Sequence, residues 1–170
     1  MTKNIILIGF MGSGKSTIGR QLAKELNMIF LDMDETIQQN LNMTIQEIFK
    51  QKGESFFRAE ELLLSRKSSS LTNMVIATGG GIVLQQKAMK SLSTNGIIIY
   101  LECDFETIIQ RIKTESSRPL FTPNDLLNFR KIFSSRISLY EENTHHMINV
   151  EGKSIESICS EVVQIIKKNS

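Results

Sequence analysis

Gly9-Phe10-Met11-Gly12-Ser13-Gly14-Lys15-Ser16 is the stretch that decides the fold. It fits G-x-x-x-x-G-K-[ST] without a gap. The apolar run at residues 4–8 reads as a strand leading into it. From Thr17 onward, Ile18, Leu22 and Leu26 recur at i, i+4 and i+8, which reads as a helix leading out. Strand, glycine loop and helix in that order are the context in which this pattern cradles a polyphosphate. Gly9, Gly12 and Gly14 permit backbone angles that side chains forbid. The loop N–H groups then turn inward around phosphate oxygens, and the helix adds its positive end. Lys15, read as lying on an exposed loop, is expected to reach the β- and γ-phosphates, and the Ser16 hydroxyl to sit on Mg²⁺. The competing reading is a glycine-rich turn with an accidental lysine. The register of all three parts argues against it.

Working outward, short continuous apolar runs recur at residues 28–31, 74–77, 97–101 and 147–150. Such runs are expected to be strands buried on both faces, as in a parallel sheet. Helix-period segments alternate with them at 44–66, with a break at Gly53, and at 105–112, 125–142 and 155–167. The pattern predicts an α/β domain around a central parallel sheet. Residues 33–72 are too long for one crossover helix and are expected to form a helical insertion. Residues 114–124 read as a polar loop holding both prolines, Pro119 and Pro123. The Ser-rich stretch 65–73 reads as a helix end and loop.

The chain has 170 residues, 41% hydrophobic and 22% charged, which suits one domain over 1–170. Net charge is +2, from 20 basic and 18 acidic residues, too balanced for a dedicated nucleic-acid binder. Tryptophan is absent, so a stacking platform for single strands has little to build on. No run reaches the roughly 18 apolar residues of a membrane span. No signal peptide is read at the start, and a cytoplasmic location is expected. Cys103 and Cys159 form no metal or redox pattern and read as reduced core thiols. His145 and His146, adjacent and without a ligand cluster, read as structural.

Two further motifs carry chemistry. Leu31-Asp32-Met33-Asp34-Glu35 places Asp32 at a strand end beside the cradle, where a carboxylate can serve Mg²⁺. Asp34 lies just beyond. Both are also candidate helix N-caps. Val75-Ile76-Ala77-Thr78-Gly79-Gly80-Gly81 runs a strand into three glycines. That removes side chains where something must approach the backbone closely.

Taken together with Phe56-Phe57-Arg58-Ala59-Glu60, Arg118-Pro119-Leu120 and Arg136 four residues before Tyr140, these motifs resemble the shikimate kinases over nearly the whole chain. The resemblance implies a three-layer P-loop kinase fold. Its parts are a five-stranded parallel sheet, a helical substrate-binding insertion at about 33–72 and a mobile lid at about 114–124. It implies that Gly12, Ser13, Gly14, Lys15, Ser16 and Thr17 hold the phosphates of ATP, and that Ser16 and Asp32 serve Mg²⁺. It further implies that Asp34, Arg58, Gly80 and Arg136 hold shikimate, that Arg111 lies near the adenine, and that Arg118 acts from the lid on the transferred phosphate. Lys15, Asp34 and Arg118 are thus the expected catalytic residues. A monomer that engages no nucleic acid and no membrane is expected.

The residues themselves make sense of these roles. A guanidinium grips a carboxylate with two parallel hydrogen bonds, so Arg58 and Arg136 suit an acidic acceptor. Asp34 can orient a hydroxyl and take its proton, and the Gly80 N–H adds a neutral donor. The plain alternative pairs Arg58 with Glu60 and Glu61, and Arg136 with Glu141, as surface ion pairs. Another small-molecule kinase, acting on gluconate or a nucleotide, fits the same architecture. A nucleotide-dependent switch fits less well, because no Asn-Lys-x-Asp occurs.

Overall fold

The computed structural model describes residues 3–114 and 126–168. Its centre is β1 (Asn4–Ile8), buried at all five positions. β2 (Ile29–Asp32), β3 (Met74–Ala77), β4 (Gly96–Glu102) and β5 (His146–Asn149) complete a parallel sheet in the order β2-β3-β1-β4-β5. Ile5 pairs with Val75 on one side and Ile97 on the other. This register brings the ends of β1 and β3, and Asp32 at the end of β2, to one edge of the sheet. Loops at that edge carry the glycine motifs, where open α/β sheets bind ligands.

The expectation that every strand is buried on both faces holds for β1 and β3 but not at the sheet's margins. Ile29 on β2 is 62% exposed and Met147 on β5 is 52% exposed. Each edge strand has a neighbour on one side only, so its outer residues meet solvent despite being apolar.

α1 (Lys15–Leu26) follows the cradle and ends at Asn27 in the left-handed region. Between β2 and β3 run α2 (Met33–Leu41), α3 (Ile45–Gln51) and α4 (Glu54–Ser69). Gly53, at φ 85°, separates α3 from α4 as expected. Thr44 and Glu47 form a reciprocal capping box that starts α3. These helices hold their own small core of Ile37, Ile48 and Phe57.

After β3 come a 3₁₀ turn (Ile82–Leu84) and α5 (Gln86–Thr94). The sequence reading missed α5. The helix is short, its N-cap Gln85 makes no capping bond, and only Ala88, Met89 and Leu92 are buried. α6 (Phe105–Thr114), α7 (Leu126–Glu142) and α8 (Ile155–Lys168) match the helix-period segments. Cys103 and Cys159 are buried and free. His145 Nδ1 accepts from the Ile98 N–H at 2.9 Å, a structural role. The proposed lid, with Arg118, lies outside the described residues apart from Thr114.

Candidate active site

The cradle forms as its glycines require. Gly9, Gly12 and Gly14 have φ of 149°, 80° and 95°. A Cβ on Gly9 would lie 2.8 Å from the Leu101 carbonyl oxygen, so β4 closes in on the loop. Gly14 stands at the N-cap of α1 and supplies no side chain to it, and the first turn carries no acid. No side chain therefore caps these helix N–H groups, an arrangement that suits an anion.

Lys15 departs from its expected place on an exposed loop. It is the first residue of α1 and only 7% exposed. Its ammonium donates to the Gly9 and Phe10 carbonyls, both at 2.8 Å. A buried ammonium needs such acceptors, and the loop's own carbonyls provide them.

Ser16 Oγ donates to Asp32 Oδ2 at 2.5 Å. The other Asp32 oxygen accepts from the Glu35 N–H at 3.1 Å, so Asp32 is the N-cap of α2. The capping alternative holds for Asp32 alone, since Asp34 sits inside the first turn. Arg111 donates to the Gly12 carbonyl at 3.1 Å from α6. A cavity of about 300 Å³ opens here. Gly12, Lys15, Thr17, Arg111, Val150 and Lys153 are among its lining residues.

The second half of the site gathers on the three glycines. None of them has positive φ, so their value is the missing side chain. A Cβ on Gly79 would lie 2.7 Å from both Asp34 Oδ1 and Glu61 Oε1. A Cβ on Gly81 would lie 2.5 Å from Arg58 Nη2. One on Gly80 would lie 3.1 Å from the Met11 amide nitrogen of the cradle. The segment is thus a shared wall, with the phosphate loop on one side and side chains of α2 and α4 on the other.

Gly80 offers its carbonyl rather than only the N–H that the sequence reading singled out. That oxygen accepts from Arg136 Nη1 at 3.2 Å and from the Tyr140 hydroxyl at 2.5 Å. Tyr140 is fully buried, and burial pushes its phenol well above the usual range, so it remains a donor. Arg136 also lies over the Phe10 ring, 5.6 Å from its centroid. Pairing with Glu141 is therefore not its described role.

Arg58 pairs with Glu61 at 2.6 Å and Glu54 at 3.0 Å, not with Glu60. The sequence marks Glu61 only as an ion-pair neighbour and carries no sign of its burial. Its side chain is fully buried. Burial pushes its carboxyl up to about 7 against the pull of Arg58. The aromatic lock between Phe10 of the cradle and Phe129 and Phe133 of α7, both with centroids 5.2 Å apart, also went unread.

The described residues thus bring together Asp34, Arg58, Gly80 and Arg136 beside Ser13, Gly14, Lys15, Ser16 and Asp32. Known proteins show the same sequence pattern and fold. The shikimate kinase family model matches residues 11–167. A shikimate kinase of Pelotomaculum thermopropionicum is 37% identical, over 99% of this chain and 98% of its own. One from Bacillus mycoides is 39% identical, over 98% and 99%. The solved shikimate kinase of Acinetobacter baumannii, in complex with shikimate, superposes with a TM-score of 0.93 at 34% identity, covering 100% of this chain and 96% of that one. A gluconokinase from Sinorhizobium meliloti shares the fold at 15% identity and a TM-score of 0.59. With the match running across nearly all of the sequence, this chain belongs to the shikimate kinase family.

Proposed function

We propose that this chain transfers the γ-phosphoryl group of ATP to the 3-hydroxyl of shikimate, giving shikimate 3-phosphate and ADP on the route to chorismate and the aromatic amino acids. The observation that carries the reading is the convergence of Asp34, Arg58 and Arg136 on the glycine wall that backs the phosphate cradle. Shikimate presents one carboxylate and three hydroxyls. The guanidinium groups of Arg58 and Arg136 take the carboxylate, each as a planar fork. Asp34 accepts from the reacting hydroxyl and takes its proton as the new O–P bond forms and the bond to the ADP oxygen breaks.

Cradle amides and the Lys15 ammonium hold the phosphates, with Arg111 at the nucleotide side. For the ammonium this means leaving the Gly9 and Phe10 carbonyls for the phosphate oxygens. Ser16 and Asp32 suit Mg²⁺, which takes one or two carboxylates and otherwise uses water and phosphate. Bound there, the ion neutralises charge on the phosphates. The family resemblance assigns Arg118 to the transferred phosphate.

We read residues 1–170 as a single kinase domain in which residues 33–72 cover the acceptor, acting as a monomer in the cytoplasm. No helix among the described residues is long and apolar enough to cross a membrane. The test is ADP release with and without shikimate, with product analysis across gluconate and nucleoside monophosphates. Turnover that ignores shikimate, or that favours another acceptor, overturns the reading.

A further inference from the structure

We infer that Gln85 is a positioning residue for the acceptor grip, holding the Glu61 carboxylate and through it the guanidinium of Arg58. The inference rests on the proposed role of Arg58 at the acceptor carboxylate. Gln85 stands at the N-cap of α5, a place where Ser, Thr, Asn or Asp usually bonds the helix N–H groups. Its side chain makes no such bond. Its Nε2 instead donates to Glu61 Oε2 at 2.7 Å, across 24 positions of chain. Arg58 Nη1 donates to that same oxygen at 2.6 Å.

Glu61 is closed in by groups of opposite effect. Arg58 on its own helix and Gln85 before α5 favour the carboxylate, while burial and Asp34 of α2 disfavour it. Glu61 Oε1 has no hydrogen-bond partner among the described residues. The charged form therefore depends on what reaches Oε2, and Gln85 is one of two such donors. Arg58 is also held by Glu54, whose side chain is 59% exposed and which bonds Nε and Nη2. Two anchors thus pull the guanidinium, Glu61 inward to the glycine wall and Glu54 outward to solvent. Loss of the Gln85 amide weakens the inner anchor and shifts Arg58 toward the outer one.

Gln85→Met keeps the length of the side chain and removes the donor, whereas Gln85→Lys keeps a donor. The full chain is assayed by steady-state kinetics at varied shikimate, ATP and pH, with shikimate binding and thermal melting measured in parallel. The expected result for Gln85→Met is a rise of about tenfold in the KM for shikimate, a much smaller change in kcat and no change in the KM for ATP. In the wild type the KM for shikimate rises as pH falls and Glu61 takes a proton. In Gln85→Met that rise begins at higher pH, and Gln85→Lys, whose added charge favours the carboxylate, brings it back to or below the wild-type pH. A merely structural role would lower melting temperature, kcat and both affinities together, without rescue, and would overturn the inference. So would a folded Gln85→Met with wild-type KM and pH profile. If the wild type itself ignores shikimate, the functional reading fails and takes the inference with it. Shikimate-dependent wild-type turnover beside an unaffected variant removes the inference alone.

Discussion

Gly81→Ala isolates the grip of Arg58 without deleting any functional group. The residue has φ −99° and ψ 1°, which alanine adopts without strain. A methyl group there would lie 2.5 Å from Arg58 Nη2, 2.6 Å from Nη1 and 2.8 Å from Cζ. All three atoms are the far end of a flexible side chain, so the guanidinium moves and the backbone stays. Displacement takes Arg58 off the 2.6 Å bond to Glu61 and off the contact proposed for it with the acceptor carboxylate. A charge-assisted hydrogen bond contributes about 1.5–3 kcal/mol, which is about ten- to a hundredfold in affinity. The KM for shikimate should rise by that factor while the KM for ATP stays near wild type, with a modest fall in melting temperature because the buried Glu61 loses its cation. Gly96→Ala is the control. Its methyl would meet the Leu92 carbonyl oxygen and Ile6 Cγ1, both at 2.7 Å. Neither can swing away, so this variant should lose stability with no selective loss of shikimate. Coupled ADP release and thermal unfolding read both variants. A Gly81→Ala enzyme with wild-type KM for shikimate, or with equal rises in both KM values, refutes the reasoning.

Lys15→Ala should abolish transfer. It should also lower stability by roughly 1–3 kcal/mol, because two buried carbonyls lose their donor, and denaturant unfolding measures that loss. Arg58→Ala and Arg136→Ala should each raise the KM for shikimate about ten- to a hundredfold with little effect on ATP, and Lys at either position should rescue poorly for want of a fork. Kinetics of each variant at varied shikimate and ATP separate the two effects. Asp34→Asn should depress kcat strongly, since the amide keeps shape but takes no proton; wild-type turnover in that variant would remove Asp34 from the mechanism. Glu61 sits at about 7 in the fold against an ordinary 4.5. Its stabilising contribution is therefore complete below that ordinary value and is lost as pH rises through the folded one, on the order of 3 kcal/mol in all. Glu61→Gln should flatten this part of the stability profile in denaturant melts over that range.

The geometry of the glycine loop was legible because its information is local. Eight consecutive residues fix the loop, and a strand and helix on either side fix its direction. Asp32 was legible for the same reason, standing at the end of a strand that the apolar pattern already marked. The proposed acceptor half is assembled from α2, α4, the glycine turn and α7, which are far apart in sequence. Periodicity places those elements but carries no sign of which charge meets which. Glu60 is closer in number to Arg58 than Glu54 is, yet helical geometry puts i−4 and i+3 on its face and leaves i+2 off it. Hence Glu54 and Glu61 are the partners. α5 escaped because a short helix with an uncapped start offers a weak pattern. Lys15 was misplaced because a motif tells what the ammonium binds when phosphate is present, not where a buried charge goes otherwise.

The three glycines tie these halves into one device. On one side a Gly80 Cβ would press on the Met11 amide, which belongs to the cradle. On the other, Gly79 and Gly81 leave room for Asp34, Glu61 and Arg58. The Gly80 carbonyl ties in α7 through Arg136 and Tyr140. Phe10 packs edge-on against Phe129 and Phe133, so the same helix is also fastened to the cradle. The groups proposed for the acceptor and the loop proposed for the phosphates therefore share a backbone wall only a few ångströms thick. Phosphoryl transfer asks above all for alignment of the attacking oxygen with the phosphorus. A side chain anywhere on that wall would separate the two partners or displace one of them. Removing three side chains in a row is the simplest way for the fold to hold both at contact distance.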